Sequence, residues 1–336
     1  MREQPQRLER SRLSSLSINP KYIPLIATVT VFLLLYGVAS IDFPTFFSLT
    51  VVVNFFIDNA FWGIVAVGMT FVMMTGGIDL SVGSMVGFVS IFAASLIQKS
   101  HVNPYLAILI CLATGSFIGF VSGLIIHYFR VAAFIMTLAN MFLIKGIGLL
   151  ISTNSIAITN PVIVGLSNAG VQLTKTVFLP VTAIVFIVIF VIGVYVSSYT
   201  RFGRTVYAIG GNEQSATLMG LKVAATKVGV YTLSGFCSSL GGVVYMLYTS
   251  SGYAIATVGM ELTAISAVVI GGTLLSGGVG YIGGTLVGVL ILGVIQTFIA
   301  FQGTLSSWWM RIVIGLLLLL FILLQQVLSA SSRRLR

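Results

Sequence analysis

The chain has 336 residues, 57% of them hydrophobic and only 7% charged, and its mean hydropathy is +1.10. A soluble domain carries roughly a quarter charged residues, and a transmembrane β-barrel shows alternating segments of about 10 residues, so both are excluded. The formal charge of +10 does not imply nucleic acid. The basic residues gather at Arg2, Arg7, Arg10, Arg12 and Lys21, at Arg130, between 199 and 227, and at Arg333, Arg334 and Arg336, as the cytoplasmic loops of membrane proteins do. The partner implied by composition is the lipid bilayer.

In chain order, a basic leader (1–21) precedes a first apolar run at 22–40. Its end, Gly37-Val38-Ala39-Ser40, resembles a cleavage site, but the leader is long and another span follows at once, which favours an uncleaved helix. Further spans are expected at 54–75, 80–98, 104–127 and 131–151. A mixed polar loop at 152–175 reads as extracytoplasmic. The remaining spans fall at 176–197, 228–249, 262–275, 281–300 and 306–328, with a short exposed segment containing Tyr253 and Glu261 before 262. The fold class is an all-α polytopic membrane protein of about ten transmembrane helices, with a membrane domain over 22–328 and a cytoplasmic tail over 329–336. An even count puts both termini and the segment 199–227 on the cytoplasmic side.

That segment is a polar, basic island large enough to engage a soluble partner. It carries Arg201, Gly203, Arg204, Tyr207, Gly210, Gly211, Asn212, Glu213, Ala216, Met219 and Gly220. Asn212 is a good helix N-cap, Glu213 sits in the first turn and Gly220 is a C-terminal stop. Ala216, Leu218 and Met219 give this short helix an apolar contact surface. It reads either as a docking element or as an ordinary surface helix, and Arg201 and Arg204 read chiefly as positive-inside anchors.

The turn from Gly76 to Gly83 brings Asp79 and Ser81 to a membrane boundary. Asp79 either caps the following span or lines a wet path, since ionisable groups within membranes are functional candidates. Gly76-Gly77-Ile78-Asp79-Leu80-Ser81-Val82-Gly83 is echoed by Gly271-Gly272-Thr273-Leu274-Leu275-Ser276-Gly277-Gly278. Both copies face the cytoplasm in this topology, which does not fit a simple inverted repeat. The glycines from Gly271 to Gly293 read first as close helix packing. Candidate path residues are Asn54, Asn59, Thr70, Asp79, Ser81, Asn140, Thr263, Ser266 and Gln296; all but Asp79 and Ser81 read first as interhelical hydrogen bonds. Trp308 and Trp309 read as an interfacial belt.

No metal site or disulfide is implied by Cys111, Cys237, His101 and His127. No Walker motif occurs, so ATP hydrolysis is not expected on this chain. No span carries a carboxylate near its centre, with Asp58, Asp79 and Glu261 read as lying near span ends, which argues against an ion-driven carrier.

Several motifs together carry a family likeness: Asp58-Asn59-Ala60-Phe61, Ile64 through Thr70, Gly76 through Ser84, Arg201-Phe202-Gly203 with Tyr207 through Asn212, and Val268 through Gly280. They resemble bacterial ABC sugar-importer permeases of the ribose/arabinose/xylose class, from about Tyr22 to Leu328. Leu218-Met219-Gly220, Gly252-Tyr253-Ala254 and Gly303 through Trp309 are most similar to the permeases of galactofuranose importers. The resemblance implies a type II ABC-importer-like permease in the inner membrane and a second permease subunit, a different chain in the galactofuranose type. It also implies a cytoplasmic ATPase subunit using ATP and magnesium, a periplasmic sugar-binding protein, and Asn212–Gly220 as the coupling region. No cofactor is implied on this chain itself. The alternatives are a permease for an amino acid or autoinducer, an ion-coupled carrier, and a scaffold without substrate.

Overall fold

The computed structural model describes residues 23–334 apart from 305 and 307, with side chains from 25 to 325. The basic leader lies outside the described residues, and of the tail only the backbone to 334 is described. Fourteen α-helices make up nearly all of the described chain, joined by two small antiparallel β-ribbons.

Helix α1 (Ile23–Asp42) leads through a short 3-10 turn to α2 (Leu49–Asp58) and α3 (Ala60–Met74). The expected straight second span is instead this pair, bent by 62° at Asn59. Asn59 turns its amide back onto the Phe55 carbonyl at 2.7 Å, a local bond that competes with helix continuation. Next come α4 (Val82–Gln98), α5 (Pro104–Tyr128) and α6 (Ala133–Ile151). Helix α5 opens with Pro104 behind the Asn103 cap, whose side chain accepts from Tyr105 N at 3.0 Å, a sequence-legible start.

The polar loop after α6 is more ordered than its composition suggests. It contains β1 (Ile156–Ala157), α7 (Pro161–Ser167) and the hairpin of β2 (Gly170–Thr174) with β3 (Val177–Pro180). The sixth span therefore begins at Val181 rather than 176, because 177–180 pairs as a strand and Pro180 precedes the helix. That span is α8 (Val181–Tyr199), followed by α9 (Arg201–Gly211), α10 (Glu213–Leu218) and α11 (Val223–Thr249). Strand β4 (Ser251–Gly252) pairs with β1, and α12 (Met260–Ile270), α13 (Ile282–Gln302) and α14 (Trp308–Arg334) complete the chain.

Among the described residues, seven helices are long and apolar enough to cross a bilayer, eight if the bent pair counts as one span. The shorter α4 and α12 occupy the third and eighth expected places. Helix α11 is the hub: it packs on α3, α4 and α5 through small residues. A Cβ at Gly119 of α5 would run into the Tyr231 carbonyl, and one at Gly235 into the Gly115 carbonyl. Glycines remove the side chains that would keep these backbones apart, which is how helices associate in lipid. The same applies to Gly284 and Gly288, which approach the carbonyls of Gly271 and Ala267, so the packing reading of the Gly271–Gly293 run holds there.

The chain between α11 and α12 departs from expectation. It is not simply an exposed segment, because residues 252–261 run back along α4. Tyr253 N donates to Ser90 Oγ at 3.2 Å and Thr257 Oγ1 donates to the Gly83 carbonyl at 2.8 Å. Gly87 sits against the Ala254 carbonyl, where a side chain would collide. One face of this turn-rich stretch is thus packed, while Ile255 and Val258 remain exposed.

Candidate functional site: the α9–α10 excursion and the turns above it

Two helices, not one, fill the polar island. Thr200 caps α9, accepting from Gly203 N at 3.1 Å. Gly203 is required there, since a Cβ would strike the carbonyls of Val196 and Ser197. Val206 and Ile209 are buried with Gly203, and Phe202 meets the Phe71 ring at 6.1 Å, while Arg201 and Arg204 point to the surface. Composition alone marks α9 only as a basic stretch. Its apolar residues at 202, 206 and 209 were the available signal, at helical spacing.

Asn212 caps α10 as its residue type demands, accepting from Ser215 N at 2.8 Å. Gly220 ends the unit with φ +74°, a left-handed geometry that glycine adopts without steric cost. The expected contact surface divides in two. Ala216 is fully buried against Ile209 and Val223, so it anchors the helix, whereas Leu218 and Met219 are 89% and 66% exposed. Only these two apolar side chains project outward. Glu213 is tied to Lys227 of α11 at 2.7 Å.

The excursion is wedged directly under the two echoed glycine turns. Tyr207 donates its hydroxyl to the Gly280 carbonyl at 2.7 Å, and burial pushes its phenol pKa up. Gly210 lies where any Cβ would strike the Met74 carbonyl and Gly278 N. Gly278 N in turn donates to the Met74 carbonyl at 3.0 Å, and Gly277 abuts Gly76. The echo at 76–83 and 271–278 is therefore two turns on the same end of the bundle, in contact with each other and with Gly210. Beside them a cavity of about 1220 Å³ has Gly76, Gly77 and the charged residues Arg130, Glu213, Lys222 and Lys227 among its lining.

Asp79 is 5% exposed. Its Oδ1 accepts from Ser81 N at 3.0 Å and Ser81 Oγ at 2.6 Å, and its Oδ2 accepts from Ser234 Oγ at 2.8 Å. The carboxylate thus organises the start of α4 and also ties it to α11. Ser234 lies about 16 Å along α11 from Val223 and about 22 Å from Thr249 at 1.5 Å per residue, so Asp79 is deep in the bundle. The expectation that all carboxylates lie at span ends is corrected: Asp79 and Glu261 do flank helix starts, but α4 and α12 are short helices that begin deep.

The other candidate path residues do not converge. Asn54 and Gln296 are exposed on α2 and α13. Thr70 shares a hydrogen bond with Thr285 at 2.7 Å, Asn140 donates to Ser122 at 2.6 Å, and Ser266 donates to the Leu262 carbonyl at 2.7 Å. Asn59 Oδ1 is buried with no partner among the described residues, and Thr263 is half-buried. Cys111 and Cys237 are free and buried, and no group of metal-ligating residues occurs among the described residues. Trp308 and Trp309 are exposed, with Arg311 stacked 4.6 Å from the Trp308 ring.

A family model described as branched-chain amino acid transport system / permease component matches residues 51–322. The chain belongs to this permease family. It is 48% identical over 307 residues to the inner membrane ABC transporter permease protein YjfF of Escherichia coli K12, covering 91% of this chain and 93% of the relative. It is 35% identical to the fructose import permease protein FruG of Bifidobacterium longum, covering 93% of each. It is 38% identical to the ribose import permease protein RbsC of Escherichia coli K12, covering 84% of this chain and 87% of the relative. No solved structure matches the chain. Among relatives of this kind, the chain is an ABC sugar-importer permease of the ribose-type class.

Proposed function

We propose that the chain forms one half of a sugar pathway in a bacterial inner membrane, with galactofuranose or a related monosaccharide as its cargo. A second permease chain of different sequence completes the pathway. A periplasmic binding protein delivers the sugar, and a cytoplasmic ATPase subunit using ATP and magnesium drives the cycle. The α9–α10 end faces the cytoplasm, with both termini on that side, and this chain binds no cofactor of its own.

The observation that carries the reading is the pairing of an outward face with an inward wedge on one small unit. Leu218 and Met219 are exposed where a soluble partner can grip them, while Gly210 and Tyr207 of the adjoining helix touch the turns at Met74–Gly76 and Gly277–Gly280. A push on α10 is delivered, through Ala216 against Ile209, to the breaks between α3 and α4 and between α12 and α13. Broken helices are where transporters commonly hold their substrate, and access changes as the bundles rock about that site. Sugar specificity is supported by the relatives named for fructose and ribose and by the galactofuranose-type motifs.

The test uses the complete importer in proteoliposomes. Met219→Asp is expected to leave insertion and basal ATP hydrolysis intact and to lower sugar uptake per ATP about tenfold, the loss of one well-buried apolar contact being worth roughly 1.5 kcal/mol. Unaltered uptake by this variant, or uptake by the chain alone under an ion gradient, removes the reading.

A further inference from the structure

We infer that Glu261 is a polar contact for the cargo, a carboxylate set at mid-membrane to accept hydrogen bonds from the hydroxyl groups of a neutral polyol. The inference rests on the importer reading above.

Depth is the first argument. The Glu261 carboxylate lies over Gly83, at a place where any side chain on Gly83 would collide with it. Gly83 is the second residue of α4, which runs alongside α11 with Asp79 bonded to Ser234 before its start and Val86 against Gly241 further on, so Gly83 stands near the level of Ser238. From Lys227, at the polar end of α11, to the level of Glu261 is therefore about 16 Å along the helix. The hydrocarbon core is about 30 Å thick, so the carboxylate stands near its middle.

The second argument is the absence of protein partners. Glu261 is half-buried, and its carboxylate makes no hydrogen bond or ion pair among the described residues. Asp79, at a similar depth, has all three of its bonds satisfied by Ser81 and Ser234. A bare charge at the bilayer centre is costly, and such groups face a wet cavity or another polar group.

The third is the backbone beside it. Residues 253–259 are a succession of turns at membrane depth, with Ile255 and Val258 exposed. Non-helical backbone at that depth is tolerated only against protein or water. This face therefore turns to the seam with the second permease, not to lipid, and Glu261 opens onto that seam. Half-buried Thr263, two residues on in α12, adds a hydroxyl there. A charged acceptor matched to sugar hydroxyls gives selectivity for their number and arrangement.

The experiment compares wild type, Glu261→Gln and Glu261→Ala in the assembled importer with saturating loaded binding protein. Glu261→Ala is expected to slow sugar uptake about tenfold, the value of a hydrogen bond to a charged group. Glu261→Gln, which keeps the shape and one acceptor, is expected to fall between. Deoxy analogues of the sugar supply the readout that a structural role would not move: the gap between wild type and Glu261→Ala closes for the analogue lacking the hydroxyl that Glu261 meets. Wild-type uptake by both variants overturns the inference, as does an equal deficit for every analogue. If Glu261→Ala does not assemble, Glu261→Gln with the analogues decides. A wild-type complex that takes up no sugar with ATP overturns the importer reading itself, a result distinct from variants matching a working wild type.

Discussion

Helices α8 and α11 invert the rule of soluble proteins. Helix α8 is the more apolar of the two, yet only five of its 19 residues are buried, whereas 16 of the 27 residues of the less apolar α11 are. In water the apolar helix goes inside. In lipid there is no hydrophobic gain from leaving the acyl chains, so the inside is taken by the helix that packs closest and forms hydrogen bonds. Helix α11 does both, with Gly235, Gly241 and Gly242 against α5, α3 and α4, and with Ser234 on Asp79. The lesson is that burial in this protein follows small and hydroxylated residues, and apolarity follows lipid contact.

The most forceful way to break that contrast is to put bulk at the α5–α11 seam. Gly119→Leu is expected to abolish recovery of folded protein, because its side chain meets the Tyr231 carbonyl and backbone cannot yield as a side chain can. Gly146→Leu on α6, where nothing lies within 4 Å, is expected to leave yield and monodispersity in detergent near wild type. Equal behaviour of the two variants in size-exclusion chromatography removes the contrast.

Next in size is the polar tie. Asp79→Leu strands Ser81 N and the hydroxyls of Ser81 and Ser234, at a cost of about 3 kcal/mol. Asp79→Asn keeps part of the set and is expected to lose less than half as much. Thermal unfolding of the purified variants measures both, and a normal midpoint for Asp79→Leu would show that the tie contributes nothing.

Tyr207→Phe removes the bond to the Gly280 carbonyl and is expected to cost about 1 kcal/mol. Its effect on uptake per ATP should exceed its effect on stability, since it sits in the wedge. A purely thermal effect would sever α9 from the coupling route. The smallest change expected is Lys227→Gln, which breaks the surface pair with Glu213. It is worth under about 1 kcal/mol, and should shrink further when the melting series is repeated at high salt.

Much of this molecule is legible in its residues. The order and approximate limits of the ten segments follow from apolar length, and the starts of α5 and α10 follow from Asn103-Pro104 and Asn212. The site was legible in part. Asn212 and Gly220 bound α10 because their roles are local, set by one side chain and one φ angle. Ala216, Leu218 and Met219 looked alike as apolar neighbours, and only the position of Ile209 and Val223 separates the buried anchor from the exposed pair. Thr70, Asn140 and Ser266 are interchangeable as polar candidates until their hydrogen-bond partners are known.

Composition and contiguous motifs suffice for the membrane class, the order of the apolar segments and the family; they do not say which segments are full-length spans, since seven or eight helices are long enough to cross while α4 and α12 are short. Tertiary structure alone decided that the two glycine turns meet at Gly210, that residues 252–261 fold back along α4, and that Asp79 is satisfied while Glu261 is not. Each of those facts joins residues far apart in the chain. Hydropathy along one helix carries no record of which neighbour a glycine admits or of how deep a short helix begins.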